Sequence, residues 1–278
     1  MTDSPIDSTI AHTARVWNYW LGGKDNYPVD REIGDRIKEL APQVVDVALG
    51  DRVFLRRAVT HLVQEEGIRQ FLDIGTGLPT ADNTHEVAQA LAPHARVVYV
   101  DNDPLVLTHA RALLTGTETG RTQFVGADLR DTAKVLEAAA RTLDLDRPIA
   151  LTLMGTMGHF EFDEALKIVD AYTDALAPGS FLAVCDGVMA HMDAELGERA
   201  MQGMRLWQEK VAQPYHMRTV EEFGRFFDGL EPVEPGPVSV LRWRPEPTEV
   251  GTVRDLPQYA GLAKKTSTRP GPEDPATP

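Results

Sequence analysis

Apolar residues recur along this chain with two different periods, and the change of period divides the sequence into regions. Between residues 11 and 62, apolar residues return every three or four positions, which predicts amphipathic helices. From residue 68 onward, short apolar runs alternate with helical patterns, which is typical of a parallel sheet covered by helices on both faces. These runs predict the strands Gln70–Ile74, Arg96–Val100, Thr122–Gly126, Ile149–Met154 and Ser180–Cys185.

The same periodicity predicts how the chain divides into domains. Residues 1–66 are expected to form a helical cap ahead of an α/β domain at residues 67–263, which holds a doubly wound, mostly parallel sheet. Within that domain, the pattern of residues 187–230 indicates a helical insertion after the fifth strand, and Val238–Trp243 has the pattern of a late antiparallel strand. Residues 264–278 are rich in Thr, Pro and Lys and are expected to be a disordered tail.

The stretch from Phe71 to Thr80 carries the clearest signal for a ligand. Its apolar run ends in the carboxylate of Asp73, and Gly75 and Gly77 follow, which predicts a buried strand, a tight turn and a helix start. The glycines allow a sharp turn and leave room for a ligand against the backbone, although an ordinary glycine-rich turn has the same composition. Thr80 stands where a dinucleotide fingerprint has its third glycine, which argues against that motif.

Polar residues also follow the other predicted strands, at the sheet edge where ligands bind in open α/β folds. Asp101 ends the second strand, where a carboxylate can accept both hydroxyls of a ribose; the alternative is a helix N-cap before Pro104. Asp128 follows the third strand, and the alternative for this residue is a loop position ahead of a capped helix. The fourth strand leads into a glycine-containing segment, residues 154–159.

Several longer motifs resemble one protein family. The segment from Arg15 to Asn26 looks like the opening signature of a family of actinobacterial S-adenosylmethionine (SAM) dependent methyltransferases, long catalogued as a domain of unknown function. The similarity continues through residues 67–80, 83–89 and 97–104, and it becomes looser farther along the chain. Several long motifs in the right order are more specific than one glycine turn.

The resemblance implies a class I methyltransferase, which has a Rossmann-like, doubly wound, mostly parallel seven-stranded sheet. SAM would be the cofactor and S-adenosylhomocysteine (SAH) the product. The first glycine loop would pass beneath the methionine half of SAM, and the acid after the third strand would accept the adenine amino group. The cofactor-binding residues that the resemblance implies are Asp73, Gly75, Thr76, Gly77, Asp101, Asn102, Asp128, Leu129 and Gly155, with Tyr19, Gly23 and Asn26 of the cap near the amino-acid end.

The sequence contains no obvious catalytic triad, and methyl transfer from a sulfonium needs little acid–base help when the acceptor is already a good nucleophile. His159 is the first candidate for a general base, although a histidine bonded to a backbone carbonyl would look the same. Asp186 is a second candidate. In the helical insertion, Trp207, His191 and Tyr215 are candidates for contact with the acceptor. The remaining histidines lack metal-ligand spacing, so no metal is expected.

Composition narrows the range of partners. Acidic residues outnumber basic ones 42 to 28 and the formal charge is -14, which argues against nucleic acid as the acceptor. A local basic trio, Arg52, Arg56 and Arg57, could form a site for an anion, although such a trio is more often one solvated helix face. No apolar run approaches the ~20 residues of a membrane span, and the first residues lack the features of a signal peptide. With a single cysteine, Cys185, these features predict a cytoplasmic protein that acts on a small molecule.

Two functions from other classes remain open at this point. A non-catalytic sensor or regulator that binds SAM or SAH would need the same glycine loop and strand-end acids. An NAD-dependent oxidoreductase would account for the glycine turn and for the acid after the second strand, but Thr80 counts against it. The identity of the acceptor, the atom that is methylated and the oligomeric state cannot be derived from the sequence.

Overall fold

The computed structural model describes residues 7–113 and 117–266, with the side chains of residues 110–113 left out. The helices in this part of the chain are α1 (Thr13–Trp20), α2 (Pro28–Leu40), α3 (Val44–Gln64), α4 (Thr84–Leu91), α5 (Pro104–Leu113), α6 (Thr132–Ala139), α7 (Phe162–Ala175), α8 (Ala194–Lys210) and α9 (Val220–Arg225). The strands are β1 (Gln70–Ile74), β2 (Arg96–Asp101), β3 (Arg121–Gly126), β4 (Ala150–Met154), β5 (Phe181–Gly187), β6 (Glu231–Pro232), β7 (Val238–Ser239) and β8 (Gln258–Lys264).

All the strands belong to one sheet, with the order β3-β2-β1-β4-β5-β8-β6 and with β7 paired to β8. The strands β1 to β5 are parallel, whereas β8 runs antiparallel to β5. From β1 the chain first adds strands on one side, to β3, and then on the other side, from β4 onward. This reversal of strand order between the parallel neighbours β1 and β4 opens a crevice at their carboxyl ends. The doubly wound, mostly parallel α/β fold is therefore confirmed. The described sheet has eight strands because two very short strands, β6 and β7, both pair with β8.

The late antiparallel strand lies later in the chain than the sequence pattern predicted. Only Val238–Ser239 of the predicted segment is a strand, and Val240–Arg242 forms a 3₁₀ turn. Val240 and Trp243 are both fully buried, because their three-residue spacing matches the period of a 3₁₀ helix. The strand that pairs with β5 is instead Gln258–Lys264, so the chain remains ordered beyond the predicted start of the tail. Residues 267–278 of that tail lie outside the described residues.

Strands β1, β2, β4 and β5 are buried on both faces, which explains why they are continuous apolar runs, whereas the edge strand β3 is only partly buried. Side chains alternate between the two faces along each strand. In β1, Leu72 and Ile74 pack in one core cluster with helix α7, and Phe71 packs in the opposite cluster with helix α3. Helix α3 packs directly on the sheet and so belongs to the helical layer that covers one sheet face. The division of the chain into domains at residue 66 stays a prediction.

Helices α1 and α2 form the outer cap and pack against α8 of the insertion. Their shared cluster contains Trp20 of α1, Ile33 and Ile37 of α2, and Trp207 of α8. The two segments also meet through the backbone, where Ala11 and Val211 form a parallel β-bridge. The cap therefore closes over the sheet edge only together with a segment almost two hundred positions later. No helix in the described part of the chain combines the length and apolarity that a membrane crossing requires.

Candidate active site

A cavity of about 510 Å³ lies beyond the carboxyl ends of β1, β2, β3 and β4, with α1, α2, α3 and α8 forming its other walls. Its position at the crevice between β1 and β4 is where open α/β sheets bind ligands. Most of the cofactor residues that the sequence predicts meet in this one cavity. Those that line it are Asp73, Gly75, Thr76, Gly77, Asp101, Asn102, Asp128, Leu129 and Gly155.

The turn after β1 depends on two glycines with left-handed backbone angles. Gly75 has φ of 73° and Gly77 has φ of 66°, a region that side chains other than glycine rarely adopt. A Cβ on Gly75 would lie 2.3 Å from the Thr156 hydroxyl oxygen, so the turn is pressed against the loop after β4. A Cβ on Gly77 would meet no atom within 4 Å, and this side of the turn borders open cavity space.

Asp73 connects the turn to the helix that follows it. Its Oδ2 accepts a hydrogen bond of 2.5 Å from the Thr84 hydroxyl at the start of α4. The carboxyl group is buried, and this burial raises its pKa above the ordinary value. Asp73 thus holds β1 and α4 together while it also lines the cavity.

Asp101 fixes the glycine turn from the neighbouring strand. Its Oδ2 accepts from the Gly77 amide at 2.9 Å, and its Oδ1 accepts from the Asp103 amide at 2.9 Å. Burial raises the pKa of Asp101. The helix α5 is capped by Asp103, whose Oδ1 accepts from the Leu105 amide, and not by Asp101. Each Asp101 oxygen therefore retains a lone pair for a further donor from the cavity.

The end of β3 offers a second carboxylate, which already has a partner. Asp128 accepts from the backbone and the guanidinium of Arg130, and these hydrogen bonds lower the pKa of Asp128. The carbonyl of Leu129 accepts from the Tyr172 hydroxyl at 2.7 Å, which holds this loop to α7. Asp128, Leu129 and Arg130 all line the cavity.

His159 stands in the cavity wall with a defined tautomer. Its Nδ1 lies 2.7 Å from the Pro214 carbonyl oxygen, which can only accept, so Nδ1 carries the hydrogen and Nε2 is the basic nitrogen of the neutral ring. Burial lowers the pKa of His159, which keeps the ring neutral near physiological pH. The hydrogen bond to a backbone carbonyl that the sequence left as the alternative is present, and it leaves Nε2 available.

Asp186 is fully buried behind the cavity wall. Its carboxylate accepts from the Tyr215 hydroxyl and from the amides of Gly158 at 2.7 Å and Gly187 at 3.0 Å. Burial raises the pKa of Asp186. The described lining of the cavity includes Tyr215 but not Asp186, so this carboxylate acts on the cavity through the tyrosine that it orients.

The cap motif lines the cavity with several residues, among them Asn18, which the sequence did not single out. Asn18 lines the cavity, and its Oδ1 accepts from Asn26 Nδ2 at 3.0 Å. Gly23 lies against Asn18 so closely that a Cβ would come within 2.3 Å of its amide. Tyr19 donates its hydroxyl to Asp35 at 2.7 Å. Tyr19, Gly23 and Asn26 are not among the described lining residues, and two of them position Asn18 from behind.

Of the three residues in the insertion that the sequence proposed for contact with the acceptor, two line the cavity and one does not. Trp207 and Tyr215 line the cavity, and their ring centroids lie 6.5 Å apart. His191 does not line it, because its ring stacks on Tyr259 with a centroid distance of 5.8 Å and its Nε2 lies 3.1 Å from that hydroxyl.

Two charged residues of α3, Asp51 and Arg52, line the cavity. Arg52 belongs to the basic trio that the sequence offered as an anion site, whereas no sequence motif marked Asp51. Asp51 Oδ1 accepts from Cys185 Sγ and from Gln258 Nε2, both at 2.8 Å. Burial raises the pKa of Asp51 to about 7. Arg52 Nη2 donates to the carbonyls of Ala81 at 2.8 Å and Asp82 at 2.6 Å. For Asp51 the only available signal was a polar residue in an amphipathic helix, which more often faces solvent.

Comparison with known proteins assigns this site to a class. The family profile described as S-adenosyl methyltransferase matches residues 1–266, so the chain belongs to that family. The protein is a SAM-dependent methyltransferase, and SAM is its cofactor. This assignment confirms the resemblance seen in the sequence and decides against an NAD-dependent oxidoreductase. No match was found among curated proteins.

Solved structures agree with this assignment. A DUF574 family protein from Streptomyces avermitilis is 42% identical with a TM-score of 0.87, covering 94% of this chain and 100% of that one. A putative methyltransferase from Thermobifida fusca is 40% identical with a TM-score of 0.83, covering 94% and 97%. The mitomycin 7-O-methyltransferase MmcR is 14% identical with a TM-score of 0.51, covering 95% and 74%, and shows likeness of fold alone.

Proposed function

We propose that this methyltransferase acts on an apolar small molecule held between the sheet edge and the cap. The observation that carries the proposal is the division of one cavity into two kinds of wall. The strand-end wall contains the glycine turn and the carboxylates of Asp101 and Asp128, whereas the opposite wall contains Trp17, Trp20 and Trp207. A polar cofactor and an apolar acceptor would each find a complementary surface there.

The strand-end residues fit SAM. Asp101 retains acceptor capacity for the ribose hydroxyls, Asp128 and Leu129 would lie beside the adenine, and the Gly75–Gly77 turn would lie beneath the methionine half. Open space next to Gly77 and the unengaged Nη1 of Arg52, a residue of the cavity wall, are features that a bound ligand would use. When bound, SAM supplies an electrophilic methyl group. The protein residues would align the two reactants and exclude water.

The acceptor would lie against aromatic and methionine side chains. Trp17 and Trp20 have ring centroids 5.4 Å apart, and Trp20 and Trp207 have centroids 5.9 Å apart, so the rings form a continuous wall. Met192 and Met204 also line this part of the cavity, and methionine adapts readily to differently shaped apolar ligands. We infer that the acceptor is a small aromatic or aliphatic compound with one nucleophilic oxygen or nitrogen.

His159 would serve as proton acceptor for that nucleophile. The Pro214 carbonyl fixes the hydrogen on Nδ1, so the lone pair of Nε2 is free to take the proton that the acceptor loses as it is methylated. Tyr215 packs edge-on against the His159 ring at a centroid distance of 5.3 Å and is itself oriented by Asp186.

Calorimetric titration with SAM and SAH tests the cofactor half of this proposal. The wild type should bind both, Asp101→Ala should lose most of the affinity, and Glu137→Ala on the exposed face of α6 should bind like the wild type. A wild-type protein that binds neither SAM nor SAH would contradict the proposal.

SAH release in the presence of apolar phenols, alcohols and amines tests the acceptor half. With any acceptor found, His159→Asn should bind SAH normally and lose about a hundred-fold or more in turnover. Turnover with oligonucleotides but with none of the apolar compounds would contradict the acceptor class.

A further inference from the structure

Helix α3 places an acidic and a basic side chain next to each other in the cavity wall. Asp51 and Arg52 are consecutive residues, so their side chains leave the helix about 100° apart, yet both line the same cavity. Asp51 faces the ends of β4, β5 and β8, where its neighbours are Gly155, Cys185 and Gln258. Arg52 reaches in the other direction, toward the segment between the glycine turn and α4.

The carboxylate of Asp51 has one oxygen engaged and one oxygen available. Oδ1 accepts from Cys185 Sγ and Gln258 Nε2, whereas Oδ2 accepts no hydrogen bond from the residues that the structure describes. A Cβ on Gly155 would lie 3.7 Å from Oδ2, which places this oxygen beside the end of β4. A buried carboxylate with an available oxygen is costly unless a donor from a ligand reaches it.

The guanidinium of Arg52 is also only partly satisfied. One nitrogen, Nη2, donates to two backbone carbonyls, whereas Nη1 donates to no residue that the structure describes and is not a fully buried atom. The nearby carboxylate of Asp73 already accepts from Thr84 and does not receive a hydrogen bond from Arg52. Arg52 therefore has donors left in a part of the cavity that adjoins the glycine turn.

A carboxylate with an available oxygen and a guanidinium with available donors, on consecutive residues in the wall of one cavity, match the two charges of an amino-acid end. An α-ammonium supplies three donors, and an α-carboxylate accepts from a guanidinium in a charge-assisted hydrogen bond. We propose that Asp51 and Arg52 bind the amino-acid end of SAM, with Asp51 Oδ2 accepting from the α-ammonium and Arg52 donating to the α-carboxylate. This rests on the proposed placement of SAM, and it assigns to α3 the role that the sequence gave to Tyr19, Gly23 and Asn26.

The test compares two ligands that differ only at that end. SAH carries the amino acid, whereas 5′-methylthioadenosine keeps the adenosine and the thioether and lacks both charges. Each is titrated calorimetrically into wild type, Asp51→Asn and Arg52→Met. Each variant should weaken SAH binding by about ten- to a hundred-fold, the range for a lost hydrogen bond to a charged group, and should leave 5′-methylthioadenosine within about twofold of the wild type.

Matched substitutions on the same helix serve as controls. Asp46→Asn and Arg56→Met change the same residue types at surface positions of α3 and should bind both ligands as the wild type does. A variant that keeps wild-type affinity for SAH would overturn the proposal, as would equal losses for both ligands. Loss of turnover without loss of SAH affinity in Asp51→Asn would overturn it in favour of a role in proton transfer. A wild type that binds neither ligand would instead refute the placement of SAM itself.

Discussion

At the scale of single residues, Asp51 shows how far burial changes a carboxyl group. Its side chain is only 3% exposed, and loss of water raises its pKa to about 7. Hydrogen bonds from Cys185 and Gln258 oppose this shift, the nearby charge of Asp186 adds to it, and Arg52 opposes it weakly. The folded protein therefore holds a carboxylate that is costly to ionise, at a position where a cationic ligand would stabilise it.

Replacement of Asp51 by Asn should increase the free energy of unfolding, and the gain should grow from about pH 4 to about pH 7. Between pH 3.8 and about 7, Asp51 is ionised in the unfolded chain but protonated in the folded one, so wild-type stability falls as pH rises through that window. Asp51→Asn has no such penalty. Its free energy of unfolding should equal that of the wild type near pH 4 and exceed it by about 3 to 5 kcal/mol at pH 8, as urea unfolding at both pH values would measure. A difference that is independent of pH would contradict this.

The sequence could predict those site residues that belong to motifs, because their signal is local. Asp73, Gly75 and Gly77 lie within one turn, and Asp101 directly ends an apolar run. Asp51 has no such signal, because what defines it is contact with Cys185 and Gln258, which lie 134 and 207 positions away. A polar residue in an amphipathic helix is ordinary until the packing of distant strands is known.

At the scale of elements, the turn between β1 and α4 uses its two glycines for different reasons. Gly75 is held by backbone geometry and by close packing against Thr156. Gly77 has the same left-handed geometry but borders open space, and its amide donates to Asp101. One glycine therefore serves the fold, and the other leaves space in the cavity.

Alanine at the two positions should separate these roles. Gly77→Ala should cost about 1 to 2 kcal/mol for the left-handed backbone and weaken SAH binding about tenfold, because its methyl group occupies cavity space. Gly75→Ala should cost about 1 to 3 kcal/mol more, since its methyl group also meets the Thr156 side chain. Urea unfolding and SAH titration of both variants measure the two effects. Equal stability losses would contradict the distinction.

Elements were predictable where the local pattern and the tertiary packing agree. The parallel strands β1, β2, β4 and β5 are buried on both faces and stand out as apolar runs, whereas β3 is a partly buried edge strand. The side chains of Asn83 and Glu86 form a capping box that begins α4. The last long strand escaped prediction because Gln258–Lys264 contains glycine and lysine among its apolar residues. The segment ending at Trp243 has a stronger strand composition, but its side chains bury themselves against α3 through a 3₁₀ turn.

At the scale of the whole molecule, the cavity is closed by segments from opposite ends of the chain. Buried Asp30 holds α1 to α2 by accepting from Arg15 Nε at 3.1 Å and from the amides of His12 and Tyr27. This pair of helices then contacts α8 through Trp20 and Trp207. The sheet has its own two core clusters. The cap and the insertion thus form one unit whose packing can weaken without loss of the sheet.

Removal of the Trp207 side chain should loosen that unit selectively. Trp207 is 6% exposed and donates its Nε1 hydrogen to the Gln213 carbonyl, so Trp207→Ala removes about 3 to 5 kcal/mol of packing from the contact between α8 and the cap. Hydrogen exchange followed by mass spectrometry should show faster exchange in α1 and α2 and unchanged exchange in β1 and β2. Met201→Ala, at an exposed position of the same helix, should leave every segment unchanged. Uniform acceleration across the sheet would mean that the cap and the core unfold together, because local opening of the cap alone cannot expose the buried strands.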